Sequence, residues 1–171
     1  MNILALEGHE TVIMPDLPAA GHPPLVLALA TLVLTGLLLA IARADLRTLR
    51  IPDPLNLALI LTGLGLAATG WHLTDHLIGA LAGYALFWGI GEVHFRRTGR
   101  EGLGLGDAKL FAGAGAWLGW QPLPFVLLIA ALGGLVAALV QRWRGARAEL
   151  AFGPWLAAGL WAMWMRAVLI G

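Results

Sequence analysis

The hydrophobic pattern divides the chain into six apolar runs separated by short polar ones. Apolar residues dominate 24–42, 54–70, 77–95, 107–119, 123–140 and 152–170. Runs of this kind predict membrane-spanning helices, since a helix needs about 20 apolar residues to cross a bilayer. The expected fold is therefore an all-α bundle of six transmembrane helices. The fourth run is short. At 1.5 Å per residue it reaches only about 20 Å, against a hydrocarbon core of about 30 Å. Such a helix starts below the membrane surface or thins the bilayer. Residues 1–23 are polar and carry Pro15, Pro18 and Pro23. They read as a tail lying on the membrane surface, with 24–171 as the six-helix domain.

Composition changes this picture little. The chain is 59% hydrophobic and 12% charged, where a soluble domain carries about 25% charged residues. There are no cysteines, which excludes a disulfide, a thiolate metal site and a Cys nucleophile. The eight Trp suit membrane–water interfaces. Gly79 and Gly83, four apart, suit close packing between helix backbones.

The placement of charge says more than its sum. Arg43, Arg47 and Arg50 fall in the first polar segment, Arg96, Arg97 and Arg100 in the third, and Arg142, Arg144 and Arg147 in the fifth. The second and fourth segments hold no Lys or Arg. By the positive-inside rule the odd segments face the cytoplasm and both termini face outward. Arg166 breaks the pattern and is expected to snorkel to the outer interface.

Candidate chemistry centres on the run Gly102-Leu-Gly-Leu-Gly-Asp-Ala-Lys109. Its glycines, among them Gly104 and Gly106, permit close backbone approach. Asp107 opens the short fourth helix, where a carboxylate is favoured by exposed N–H groups and the dipole. An ionisable group sunk below the membrane surface is a candidate functional group. Asp45 delivers a second acid to the same side. Facing each other, the two would share a proton, because like charges a few Å apart do not both ionise cheaply. That is the equipment of an aspartic protease. Two separate interfacial acids are the competing reading of the same spacing.

The other polar residues are read as follows. Asp53, before Pro54, suits the N-cap of the second helix. Glu92 could pair with His94 or an Arg, and Glu101 beside Arg100 is solvated. Lys109 is an interfacial anchor or tunes Asp107 by its charge. His72 and His76, with Asp75, are four apart like a metal pair. No further ligand is evident, so a surface turn is expected and no metal is assigned. The glycine run is neither a P-loop nor a dinucleotide fingerprint, and no cofactor or nucleic acid is implied.

Several stretches resemble the type IV prepilin peptidases, leader peptidases that belong with the Gly-x-Gly-Asp membrane aspartyl proteases. They are Asp45-Leu-Arg-Thr-Leu-Arg-Ile-Pro-Asp53, Gly79-Ala-Leu-Ala-Gly-Tyr84, Thr98-Gly-Arg-Glu-Gly-Leu-Gly-Leu-Gly-Asp-Ala-Lys109, Ala114-Gly-Ala-Trp-Leu-Gly-Trp120 and Phe152-Gly-Pro154. The resemblance implies that Asp45 and Asp107 are the catalytic pair. It implies cleavage of the N-terminal leader of a prepilin or pseudopilin at the cytoplasmic boundary of the bacterial inner membrane. Gly104 and Gly106 would admit an extended substrate backbone, with Glu101, Glu92 or Asp53 receiving a basic leader. Members often carry another acid two residues after the first, where this chain has Arg47. Full-length members begin with a further span and a cysteine-bearing domain and also methylate the new N-terminus. This chain corresponds to the peptidase half, so the resemblance does not carry the methyltransferase across. A small transporter, or a non-enzymatic membrane component of a pilus or secretion machine, is the reading from another class.

Overall fold

The computed structural model describes residues 22–70, 73–99, 104–145 and 150–170. All regular structure among them is α-helical: α1 (Pro24–Thr48), α2 (Asp53–Thr69), α3 (Leu73–Thr98), α4 (Leu105–Leu118), α5 (Leu123–Trp143) and α6 (Gly153–Ile170). Of these, α1, α3 and α5 are long and apolar enough to cross a membrane. The polar tail expected over 1–23 lies outside the described residues except for its last two.

The helices do not stop where the apolar runs stop. α1 continues through Arg43, Asp45 and Arg47 to Thr48, α3 extends to Thr98, and α5 to Trp143. Arg, Ala and Leu are good helix formers whether or not they lie in lipid. A basic last turn also complements the negative end of the helix dipole. α1 ends at Leu49, whose left-handed backbone (φ 53, ψ 30) lets its N–H reach the Asp45 carbonyl at 2.8 Å. That conformation costs a non-glycine residue about 1–2 kcal/mol. It turns the chain back so that Ile51 points inward, 8% exposed.

α4 is the shortest helix and the most enclosed. Every residue from Leu110 to Leu118 is buried. It packs against α2, α3, α5 and α6, while α1 and α5 both pack on α6. Small residues make this possible. A methyl group at Gly79 of α3 would fall 2.7 Å from the Gly119 carbonyl carbon, and one at Gly63 of α2 would fall 2.8 Å from that of Ala116. Backbones this close replace the hydrophobic driving force that helices lack inside lipid.

The tryptophans correct the sequence reading in part. Trp143, Trp88 and Trp120 are exposed, but Trp117 and Trp164 are core residues at 2% and 0%. Their rings meet edge to face at 5.2 Å. Each indole N–H is satisfied, Trp117 by the Leu59 carbonyl at 2.8 Å and Trp164 by Thr31 Oγ1 at 2.9 Å. Burial needs such a partner, and α2 and α1 provide it.

Candidate active site

Asp45 occupies the last turn of α1 and is 6% exposed. The sequence reading set it in a loop after the span, whereas the helix continues past it. Its Oδ2 accepts the backbone N–H of Gly153 at 2.9 Å. Gly153 is the first residue of α6, where an N–H has no partner within its own helix. Asp45 thus caps α6 from a different helix, with the carboxylate at the positive end of the dipole. The contact excludes a side chain, because a Cβ on Gly153 would lie 2.7 Å from Asp45 Oδ2 and 3.2 Å from Ile51 Cδ1.

Ile51 links this acid to the other. Its opposite flank meets Gly106, where a Cβ would stand 3.2 Å from Ile51 Cβ. Gly106 belongs to the first turn of α4, which starts at Leu105 with Gly104 as its cap. Asp107 is therefore the third residue of that helix and not its first, as the apolar pattern had it. Its N–H bonds the Gly104 carbonyl at 3.0 Å. Its carboxylate folds back over Gly104, where a Cβ would sit 3.6 Å from Oδ2. Asp107 is half-buried. The two acids, the turn at Ile51 and the start of α6 thus share one end of the bundle.

Asn56 supports the same turn. It is 1% exposed, and its Nδ2 donates to the Gly106 carbonyl at 3.2 Å. Its Oδ1 has no hydrogen-bond partner among the described residues. The sequence reading passed over both Asn56 and the role of Gly153. The available signals were an amide inside an apolar run and a Gly-Pro pair opening the last one.

Asp53 is not the N-cap of α2. The cap position is Pro52, and no side chain bonds there. Asp53 is itself helical, and its Oδ1 meets Lys109 Nζ at 2.6 Å. This gives Lys109 a partner that neither of its two expected roles named. Its charge ties the first turn of α4 to the start of α2. The pair is largely solvated and worth at most about 1 kcal/mol. Glu92 pairs with Arg96 at 2.6 Å, one of its expected partners. Glu101 lies outside the described residues, as does His72.

His76 is no surface turn. α3 begins at Leu73, which carries His76 inward to 5% exposure, and its Nδ1 donates to the Ala116 carbonyl at 2.8 Å. Among the described residues no group of three His, Cys, Asp or Glu could hold a metal ion.

Comparison with known proteins gives this geometry a family. Residues 32–139 match the type IV leader peptidase family. A prepilin leader peptidase/N-methyltransferase of Pectobacterium carotovorum subsp. carotovorum is 48% identical over 135 residues, 75% of this chain and 48% of that protein. The proteins of the same name from Burkholderia pseudomallei strain K96243 and Escherichia coli K12 are 46% and 45% identical, covering 77% and 71% of this chain. They are covered over 44% and 56% of their own length. The chain spans about half the length of the curated relatives it matches. No solved structure matches. With the match extending over more than half its length and taking in both acids, the chain belongs to the type IV leader peptidase family.

Proposed function

We propose that this chain is a membrane aspartyl endopeptidase that removes the N-terminal leader of a type IV prepilin or pseudopilin. The observation that carries the reading is that Gly153, whose N–H holds Asp45, and Gly106, which precedes Asp107, both close on Ile51 from helices far apart in sequence. In the reaction one carboxylate takes a proton from water as the water attacks the scissile carbonyl. The other gives its proton to the carbonyl oxygen, and the departing amine is protonated as the tetrahedral intermediate collapses. Gly153 N–H occupies Oδ2 of Asp45 and leaves Oδ1 to the water. Gly104, exposed beside the Asp107 carboxylate, leaves the approach open to an extended peptide backbone, while Gly106 makes room for Ile51.

In this reading residues 24–171 form one membrane peptidase domain, with 1–23 as a tail. All six helices lie in the bacterial inner membrane with both termini outside. The acids then face the cytoplasm, where the arginines place that end of the bundle. α4, at about 1.5 Å per residue, spans about 21 Å and leaves its first turn below the membrane surface. A transporter would want its acids near mid-membrane, whereas these stand in the last turn of α1 and the first turn of α4. The family name and the sequence coverage support the peptidase half of the relatives' activity, and we carry over no methyltransferase.

Cleavage of a prepilin in membranes bearing single variants tests the assignment. Asp45→Asn and Asp107→Asn are each expected to lower the rate by at least about 10³-fold, as removal of a reacting group does. Asp53→Asn is expected to remain active. Full activity in either of the first two refutes the dyad, and loss in the third alone moves the first acid to Asp53.

A further inference from the structure

A groove of about 380 Å³ runs between α1 and α6. Thr35, Leu39 and Ala42 form one wall, and Pro154, Ala158 and Trp161 the other. Its position is the informative part. On α1, Leu38, Ala42 and Asp45 stand at i, i+4 and i+7, one helix face. On α6, Gly153, Ala157 and Trp161 repeat every four residues in the same way. Both walls therefore run toward the Asp45–Gly153 hydrogen bond, which lies next to Pro154 and one turn along α1 from Ala42. The other end stops at Trp161, whose indole N–H bonds Thr35 Oγ1 at 3.2 Å.

From this we propose that the α1–α6 groove seats the apolar part of the peptide substrate that follows the bond to be cut. The inference rests on the peptidase reading and deepens it. Thr35 to Ala42 covers two helical turns, about 10 Å, so two turns of an apolar helix fit along it. Ala42, Ala157 and Ala158 are small and leave room between the walls, which suits bulky aliphatic or aromatic substrate side chains. Leu39 is 66% exposed and Trp161 43% exposed, so entry is sideways, from the lipid. A phospholipid acyl chain is the rival occupant, since an apolar groove with no charged lining residue can take either. What favours the peptide is the neighbouring Asp45 carboxylate, where its polar backbone would emerge. A substrate helix seated here places the residues just before its first apolar turn against Asp45.

The test begins with the wild-type full chain and a prepilin that retains its leader and the following ~20 apolar residues. A wild-type chain that cleaves no such prepilin refutes the peptidase reading, and the groove assignment falls with it. Given cleavage, Ala158→Trp fills the groove from an exposed position. It is expected to raise KM for the prepilin at least about tenfold with kcat within about twofold, the signature of lost substrate binding. A photo-crosslinking benzoylphenylalanine is placed at Ala158, and in a second protein at Leu132 on the outer face of α5, both with Asp107→Asn. Prepilin adducts from Ala158 and none from Leu132, mapping to the apolar segment, support the groove even if Ala158→Trp folds poorly. An unchanged KM in a folded Ala158→Trp, equal adducts at both positions, or adducts with lipid alone overturn the groove while leaving the peptidase intact.

Discussion

Gly153 is where one side chain's absence does the most. Its N–H holds Asp45, and its missing Cβ makes room for both that carboxylate and Ile51. Gly153→Ala forces the acid or Ile51 aside, a small-to-large change that costs about 1–3 kcal/mol. We expect prepilin cleavage to fall at least tenfold, about the change that 1.4 kcal/mol makes in a rate, while the protein still inserts and folds. Cleavage at the wild-type rate would show that the Asp45–Gly153 contact is dispensable. Asn56 separates positioning from stability in another way. Asn56→Leu keeps the branched shape and removes both the Gly106 bond and the unsatisfied Oδ1, so stability should change by no more than about 1 kcal/mol. Prepilin cleavage should nonetheless drop, because the Gly106 turn beside Asp107 loses its side-chain hydrogen bond. Thermal unfolding in detergent and cleavage kinetics on the same sample read both effects. Asp107 could be picked from the sequence by its glycine run, and Asp45 by its place after the first apolar run and by resemblance. Their supports could not, because Asp45 meets a backbone N–H 108 residues away and Asn56 a carbonyl 50 residues away. No local pattern encodes a partner at that distance.

At the scale of elements, hydropathy found all six helices and misplaced their ends. A hydropathy run ends at the first charge, but a helix ends where the backbone loses its hydrogen bonds. In α1 that happens only at Leu49 and the following Pro52, so Asp45 moved from a loop into a helix. The same shift moved Asp107 from the first to the third residue of α4 and brought His76 into α3. Gly79 and Gly83 were legible as packing positions by their spacing. That Gly79 faces Gly115 and Gly119 of the next helix pair was not, since helix adjacency is a property of the bundle. The contrast between two glycines of one helix tests how far α4 depends on this packing. A Cβ on Gly79 would meet backbone at 2.7 Å, and a Cβ on Gly89 meets nothing within 4 Å. Gly79→Val should destabilise by about 3 kcal/mol or more, since backbone cannot yield as a side chain can. Gly89→Val should stay within about 0.5 kcal/mol. Similar melting shifts for both would mean that α3 and α4 are not held by close backbone approach.

In the proposed reading one end of the molecule carries the chemistry, and the charge pattern assigns that end a side of the membrane. Arg43 and Arg47 lie in the last turns of α1, Arg96 and Arg97 in those of α3, and Arg142 in the last turn of α5. Asp45 is in that same turn of α1, and the first turn of α4, which carries Asp107, packs on Ile51 through Gly106. If basic residues mark the cytoplasmic face, the acids are reached from the cytoplasm, and the α4–α5 connection at Trp120 lies on the outer face. The natural absence of cysteine makes this directly measurable, because any introduced thiol is the only one. Arg97→Cys and Trp120→Cys both replace exposed positions, at opposite ends of the bundle. In intact cells a membrane-impermeant maleimide should label Trp120→Cys and leave Arg97→Cys unlabelled until the membrane is opened. The reverse pattern would turn the bundle over and put Asp45 and Asp107 on the outer face, where a leader still on the cytoplasmic side could not reach them. Labelling of both from outside would show that the chain does not cross the membrane between α3 and the α4–α5 connection. In that case the shortness of α4 could no longer explain how Asp107 comes to lie beneath the surface.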